Sequence, residues 1–276
     1  MFAKHIKPEV MYKLTIPLLA LGVFLTACGT GKDKDKPGGG FNLFSVEKDK
    51  ELGIQVAGQI ESDPAQFPIL DSASNVEAYR YIYNVRNKIL TTGLVEHNYD
   101  FVWRVRIIND DETLNAFCTP GGYIYFYTGL IKYLDNESEL AGVMGHEMAH
   151  ADLRHSTRQM TKQFGVQLLL SAVLGDQSAI GQITGGLLSL TFSRSHETEA
   201  DQMAVHYMCP TDWPADGGAG FFEKIRDSGA QSPPEFLSTH PSPDNRIENY
   251  HRWAEEQSCA GSKTYDAEYQ RFKSLF

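Results

Sequence analysis

The stretch Val143-Met144-Gly145-His146-Glu147-Met148-Ala149-His150 decides how the rest of the chain is read. Imidazoles four residues apart on a helix lie about 40° from each other around its axis, so His146 and His150 share a face and can bind one tetrahedral cation. Glu147, between them, is left beside that cation, where a carboxylate can take and return a proton. The spacing His-Glu-x-x-His arises by accident in roughly two per cent of chains of this size and composition. The reading therefore needs a helical setting and a third ligand. Asp135, Asn136 and Ser138 offer N-caps for the helix, with Leu140 and Val143 on its buried side.

His155 is the first candidate for the third ligand. On a continuous helix it points about 140° from His150 and about 180° from His146, so it fails. The extension that would put Gly at 153 and His at 156 is also absent, because Leu153 and Ser156 stand there. His155 reads as a helix-end residue or as one standing behind the ligands. The second candidate is Ser193-Arg194-Ser195-His196-Glu197-Thr198-Glu199-Ala200-Asp201, predicted to open a helix over 197–209. Glu197 and Asp201 share a face, and Glu199 lies about 160° from Asp201. One carboxylate can bind the cation while Asp201 accepts the outer N–H of a ligating imidazole. A solvated acidic helix start has the same composition, and spacing alone does not choose between the two.

With 276 residues and 42% apolar content the chain can bury one sizeable core. Its 25 Lys plus Arg against 35 Asp plus Glu leave little to neutralise phosphates, so no nucleic-acid partner is expected. Lys4, Lys7 and Lys13 make a positive start, and Leu14 to Ala27 is apolar but short for a spanning helix. Leu25-Thr26-Ala27-Cys28 resembles the lipobox of bacterial lipoproteins, which implies cleavage before Cys28 and a lipid on that cysteine. Gly29 in place of Asp points to the periplasmic face of the outer membrane. Residues 29–40 mix glycine with alternating charge and read as a tether. The expected organisation is a signal peptide over 1–27, a lipidated Cys and tether over 28–40, and a single domain over 41–276.

Periodicity predicts helices over 45–62 and 74–93, the second carrying Val76, Tyr79, Ile82, Tyr83, Val85 and Ile89 as its apolar stripe. Phe101, Trp103, Val105 and Ile107 alternate as in a half-buried strand, and Tyr123 to Tyr127 follow the Pro120-Gly121-Gly122 turn, so a small sheet is expected. Phe164 to Leu190 is mostly apolar without an uninterrupted run of about 20 residues. It reads as two core or flap helices joined near Gly175-Asp176, in preference to membrane contact.

Four motifs fall in order over roughly residues 45–250: Asn115-Ala116-Phe117-Cys118-Thr119-Pro120-Gly121-Gly122-Tyr123-Ile124-Tyr125, the His146 to His150 segment with Arg154-His155, Ser193-Arg194 with Glu197-Thr198-Glu199-Ala200-Asp201, and Ser238-Thr239-His240-Pro241 with Arg246. Together they resemble the HtpX and CAAX-prenyl-endopeptidase family of gluzincin zinc metallopeptidases. With the lipobox in front, the chain is most similar to the soluble lipoprotein branch of that family, departing from it in Cys118-Thr119. The resemblance implies an α+β fold, mostly helical and zincin-type, with a small β-sheet beside the His-Glu-x-x-His helix. It implies one Zn2+ per chain on His146, His150 and Glu197, Glu147 as general base, and Asp201 behind a ligating imidazole. Asn115, Ala116 and Phe117 would form an edge strand that pairs with substrate backbone. His240 and Arg246 are candidates to stabilise the oxyanion, and His240 could instead take a fourth zinc position and hold the enzyme latent. The implied function is periplasmic zinc endopeptidase acting on misfolded or misassembled envelope proteins; the alternative is a chaperone-like outer-membrane assembly factor with a latent zinc site. Besides Cys28, three cysteines remain for an oxidising compartment. Cys209 with Cys259 is the preferred pair, since Cys118 falls beside the active site, although sequence alone does not fix the connectivity.

Overall fold

Apolar periodicity in the first half of the chain becomes helix close to where it is written. In the computed structural model, which describes residues 42–228, 235–243 and 245–276, α1 (Val46–Glu61) buries Leu52, Val56 and Ile60. Ser45 caps it by accepting from the Lys48 N–H. Helix α2 (Val76–Leu90) buries Tyr79, Ile82, Val85 and Ile89, while Val76 is exposed at its first turn. The expected signal peptide, Cys28 and tether lie outside the described residues.

Strands β1 (Arg104–Ile108), β2 (Ala116–Thr119) and β3 (Tyr123–Tyr127) form one sheet in the order β1-β3-β2. The first pair is parallel and the second antiparallel, which leaves β2 at an edge. Every residue of β3 is buried. Side chains alternate across a strand, so Tyr123, Tyr125 and Tyr127 join the cluster built on α1, and Ile124 and Phe126 join the cluster built on α2. The first strand begins later than its alternation suggests. Trp103 has φ 44°, which ends extended backbone, and it is buried with Phe101 against the Gly121-Gly122 turn. Gly122, at φ 84°, could not carry a Cβ without meeting the Trp103 backbone at 3.0 Å.

After α3 (Thr128–Tyr133) comes α4 (Glu137–Asp152), the helix of the His146 segment. Asn136 accepts from the Glu139 N–H at 3.1 Å, and Glu139 reaches back to the Asp135 N–H at 2.9 Å, a reciprocal cap. Leu140 and Val143 were expected to mark one buried side; instead α4 is buried all round from Ser138 to Asp152, as befits a helix at the centre of a fold. Small residues permit this. A Cβ on Gly142 would stand 2.4 Å from Gly218, and one on Gly145 would stand 3.3 Å from Ala204. These close approaches bring α8 (Arg194–Met208) and α9 (Gly218–Ser228) against α4. Helix α8 starts three residues before the expected Glu197, because Ser193 caps it through the His196 N–H at 3.2 Å.

Between them run α5 (His155–Gln163), α6 (Val166–Val173) and α7 (Gln177–Leu188). The last two form the expected hairpin, turned at Gly175 with φ 90° and capped by Asp176. Among the described residues no helix is long and apolar enough to cross a membrane. The chain closes with α10 (Phe236–Thr239), α11 (Arg246–Glu256) and α12 (Asp266–Lys273).

Cys209, at the end of α8, is bonded to Cys259, after α11, across 50 positions, while Cys118 is a buried free thiol. Closing a loop of that length stabilises by roughly 4 kcal/mol. Reduction is therefore expected to lower the melting temperature by about 10 °C, read by thermal unfolding with and without reductant; an unchanged transition would deny the bond its role.

Candidate metal centre

Helices α4 and α8, together with the residue that ends α10, bring four donors to one point. His146 Nε2 lies 3.0 Å from His150 Nε2 and 3.2 Å from His240 Nδ1. Glu197 Oε1 is 3.2 Å from both His150 Nε2 and His240 Nδ1, and its Oε2 is 3.5 Å from His146 Nε2. All four side chains are buried and offer donor atoms within 4.8 Å of one another, a set that can hold one metal ion. Two or three imidazoles and a carboxylate make a donor set suited to zinc.

Each ligand candidate is held from behind. His146 Nδ1 is 2.9 Å from Asp201 Oδ1, the arrangement that fixes a ligating imidazole. Asp201 also accepts from Arg246 Nη2 at 2.7 Å and from the Tyr250 hydroxyl at 2.8 Å. His150 Nδ1 lies 3.0 Å from His155 Nδ1, and His155 Nε2 lies 3.3 Å from Glu199 Oε2. His155 gets there because α4 does not continue. Arg154 takes a left-handed turn at φ 57°, anchored by its guanidinium to Asp49, so His155 folds back over His150 instead of pointing away. Rings complete the frame, Phe192 against His150 at 4.0 Å and Phe236 stacked on His240 at 4.3 Å.

Burial works against a charged His146, but Asp201 and Glu197 prevail and hold its pKa up at about 9. Burial and the neighbouring His146 charge push His150 well below the usual imidazole range. For Glu197 burial raises the pKa, and His240, His146 and His150 overcome it, leaving the carboxyl well below its ordinary value. His146 must therefore shed a proton to ligate a metal through Nε2. That proton is bound below about pH 9 and absent above it, so zinc affinity is expected to rise about tenfold per pH unit as pH climbs toward that value. Calorimetry in buffers of different ionisation enthalpy would show the released proton; an affinity independent of pH would contradict the assignment.

Glu147 stands 3.5 Å from His240 Nε2, fully buried, with neither carboxylate oxygen in a hydrogen bond. The Cys118 thiol is its neighbour, pushed far up by burial and then by the Glu147 charge. A cavity of about 130 Å³ opens beside them, lined among others by Asn115, Phe117, Cys118, Ser156, Phe192 and His240. Edge strand β2 thus forms one wall, and the segment after α7 forms the other.

Of the residues singled out in the sequence, His146, His150, Glu147, Glu197, Asp201 and His240 converge here, with Asn115 and Phe117 on the cleft and Ala116 buried behind it on β2. Arg246 is placed differently from the expected oxyanion donor beside His240. Its Nη2 bonds Glu197 Oε2 at 3.2 Å and Asp201, its guanidinium lies 3.9 Å over the Phe222 ring, and it lines a separate groove. Tyr250 escaped the sequence reading, although its place four residues after Arg246 puts both on one face of α11.

The description of peptidase family M48 matches residues 80–254. The beta-barrel assembly-enhancing protease of Escherichia coli (strain K12) is 33% identical over 157 residues, 51% of this chain and 32% of that protein. The mitochondrial metalloendopeptidase OMA1 of Saccharomyces cerevisiae is 30% identical over 191 residues, 63% of this chain and 54% of that protein. The chain thus spans about a third to a half of the length of these curated relatives. With a family match over well more than half of the sequence, covering both helices that carry the histidine pair and its carboxylate, the chain belongs to peptidase family M48.

Proposed function

We propose that the protein is a zinc-dependent endopeptidase in which His146, His150 and Glu197 bind the metal and Glu147 is the general base. The observation that carries this is the convergence of buried donors from α4 and α8 next to a carboxylate that has no hydrogen-bond partner. Bound there, zinc would supply Lewis-acid stabilisation of developing negative charge and a nucleophilic water at neutral pH. Glu147 takes the proton of the attacking water and returns it to the leaving amine. Asp201 keeps the His146 proton on Nδ1, which leaves Nε2 free to ligate, and Arg246 with Tyr250 keeps Asp201 in place. The edge of β2 binds an extended peptide through backbone hydrogen bonds, which demands little of its sequence. Glu147→Gln, with zinc content and cleavage of an unfolded protein measured together, tests the assignment.

One observation favours a latent resting form. His240 already lies within the donor group, its Nδ1 3.2 Å from both His146 Nε2 and Glu197 Oε1. As a fourth ligand it would displace the nucleophilic water. His240→Ala is then expected to raise proteolysis several-fold; a fall would assign His240 to the reacting carbonyl instead.

The same proposal extends to place and substrate. Residues 1–27 act as a signal peptide, 28–40 as a lipidated Cys28 and tether, and 41–276 as one protease domain at the periplasmic face of the outer membrane. Its substrates are unfolded or misassembled envelope proteins. Support comes from the lipobox-like Leu25 to Cys28, the disulfide, and bacterial relatives described as beta-barrel assembly-enhancing proteases.

A further inference from the structure

We infer that the outward face of α6 docks on a lipid bilayer, laying Val166, Leu170 and Leu174 into the boundary between headgroups and acyl chains. The sequence of this stretch alone favours core or flap helices over membrane contact, but the fold leaves these three side chains exposed. The inference rests on the reading of Cys28 as a lipid-bearing residue. Helix α6 buries Leu169 and Ala172 against the body of the protein, with α1 and α7 as its neighbours. On its other side Val166, Leu170 and the C-cap Leu174 are 55%, 51% and 85% exposed. Steps of four residues advance about 40° each, so the three form one stripe about 80° wide. Among the described residues nine large apolar side chains are exposed, and three of them belong to this one short helix and its cap. Scattered single exposures need no explanation, whereas a continuous stripe does.

Charge is absent where it would oppose insertion. Between Lys162 and Arg194 the chain holds one ionisable residue, Asp176, whose carboxylate caps α7 through the Ala179 N–H at 2.9 Å. Helix α6 and its cap therefore carry no charge of their own, and exposed Lys162 and Asp176 flank the stripe at its two ends, where an interfacial helix keeps its charges in water. The protein as a whole is acidic, with a formal charge of −10. Attraction to anionic lipid is thus not the driving force, and the contact should survive high salt.

What commits the stripe to a bilayer is where the tether arrives. Asn42 Nδ2 donates to Thr157 Oγ1 at 2.9 Å, and the Leu43 N–H donates to Thr161 Oγ1 at 3.2 Å. Both acceptors lie on α5, which ends at Gln163, three residues before α6 begins. The chain from Cys28 therefore joins the domain beside this helix, and fully extended it spans at most roughly 50 Å. Leu43, where the tether meets α5, is itself an exposed apolar side chain. A lipid on Cys28 would hold the domain with this side within reach of the membrane, and the segment after α7 would carry that orientation to the wall of the cleft.

The test uses the lipid-bearing protein purified from membranes and reconstituted into phosphatidylethanolamine and phosphatidylglycerol vesicles with brominated acyl chains. Leu174→Trp reports on the stripe. Tyr99→Trp, at a position 98% exposed in the loop after α2, is the control. Trp103, Trp213 and Trp253 are buried, and their signal is subtracted with the parent protein. Bromine is expected to quench the Leu174→Trp fluorescence several-fold more than that of Tyr99→Trp, at low and high salt alike. Equal quenching, in protein whose mass shows the lipid on Cys28, overturns the inference and leaves the anchor reading intact. A mass without lipid overturns the anchor reading, and quenching of that protein added to the same vesicles still decides the stripe. Self-crosslinking of Leu174→Cys chains in the vesicle would assign the face to a second copy and overturn the inference. So would a loss of soluble-substrate cleavage in Leu170→Gln/Leu174→Gln, which would make the face part of the substrate path. These positions face outward, and an unchanged melting temperature confirms that the variants fold.

Discussion

Glu147→Gln is expected to lower peptide hydrolysis by roughly 10²–10⁴-fold while zinc content stays at the parent level. The amide keeps the shape of the side chain but cannot accept a proton from the attacking water. Glu147 is not one of the converging donors, and it makes no hydrogen bond whose loss would disturb the ligands. Folding should be little affected, since the amide has the same shape and the carboxylate's neighbours, the Cys118 thiol and His240 Nε2 at 3.5 Å, can also meet an amide. An active Glu147→Gln protein would remove the carboxylate from the chemistry. A simultaneous loss of zinc would make Glu147 part of the metal set and require a different base. The chaperone-like alternative expects no proteolysis to lose, so a parent protein that cleaves nothing, with or without His240→Ala, would favour it.

The second large effect concerns the metal. Glu197→Ala is expected to weaken zinc binding by more than the roughly 10–100-fold that follows loss of a residue standing behind a ligand. Asp201→Asn should fall inside that range, because Asp201 stands behind the donors, reaching His146 through its ring and Glu197 by way of Arg246. The two variants share a structural cost. Arg246 is buried between these carboxylates, and removing one partner of a buried pair costs on the order of 3–5 kcal/mol. Melting of the metal-free proteins measures that cost, and chelator competition measures the affinity separately. Equal zinc affinity in Glu197→Ala and the parent would exclude the α8 carboxylate.

How much of this could be read from residues alone differs from element to element. The relation of His146 to His150 is set by helical geometry, and so is the shared face of Glu197 and Asp201; both needed only that helices form there. That α8 would meet α4 depends on Gly145 facing Ala204, a tertiary contact that no local pattern announces. The burial of α4 on all sides was hidden for a similar reason. Its glycines and alanines carry little hydrophobic signal, yet they are what permit close neighbours. His155 shows how one backbone angle changes a conclusion. On a straight helix it points away from the ligands, but a non-glycine residue in a left-handed turn at Arg154 reverses it, held by Asp49 more than a hundred positions earlier. Phe101 and Trp103 alternated correctly and still fell outside β1, because alternation marks burial as readily as pairing. Arg246 was visible as a companion of His240, but only the fold shows that it turns to Asp201 and Glu197.

Zinc K-edge X-ray absorption on the purified protein, with metal content measured on the same sample, tests the zinc assignment most directly. One zinc per chain is expected, surrounded only by nitrogen and oxygen at about 2.0–2.2 Å, with scattering from at least two imidazoles. Protein that takes up no stoichiometric zinc, or a sulfur neighbour at about 2.3 Å from the buried Cys118, would contradict a site built from His146, His150 and Glu197.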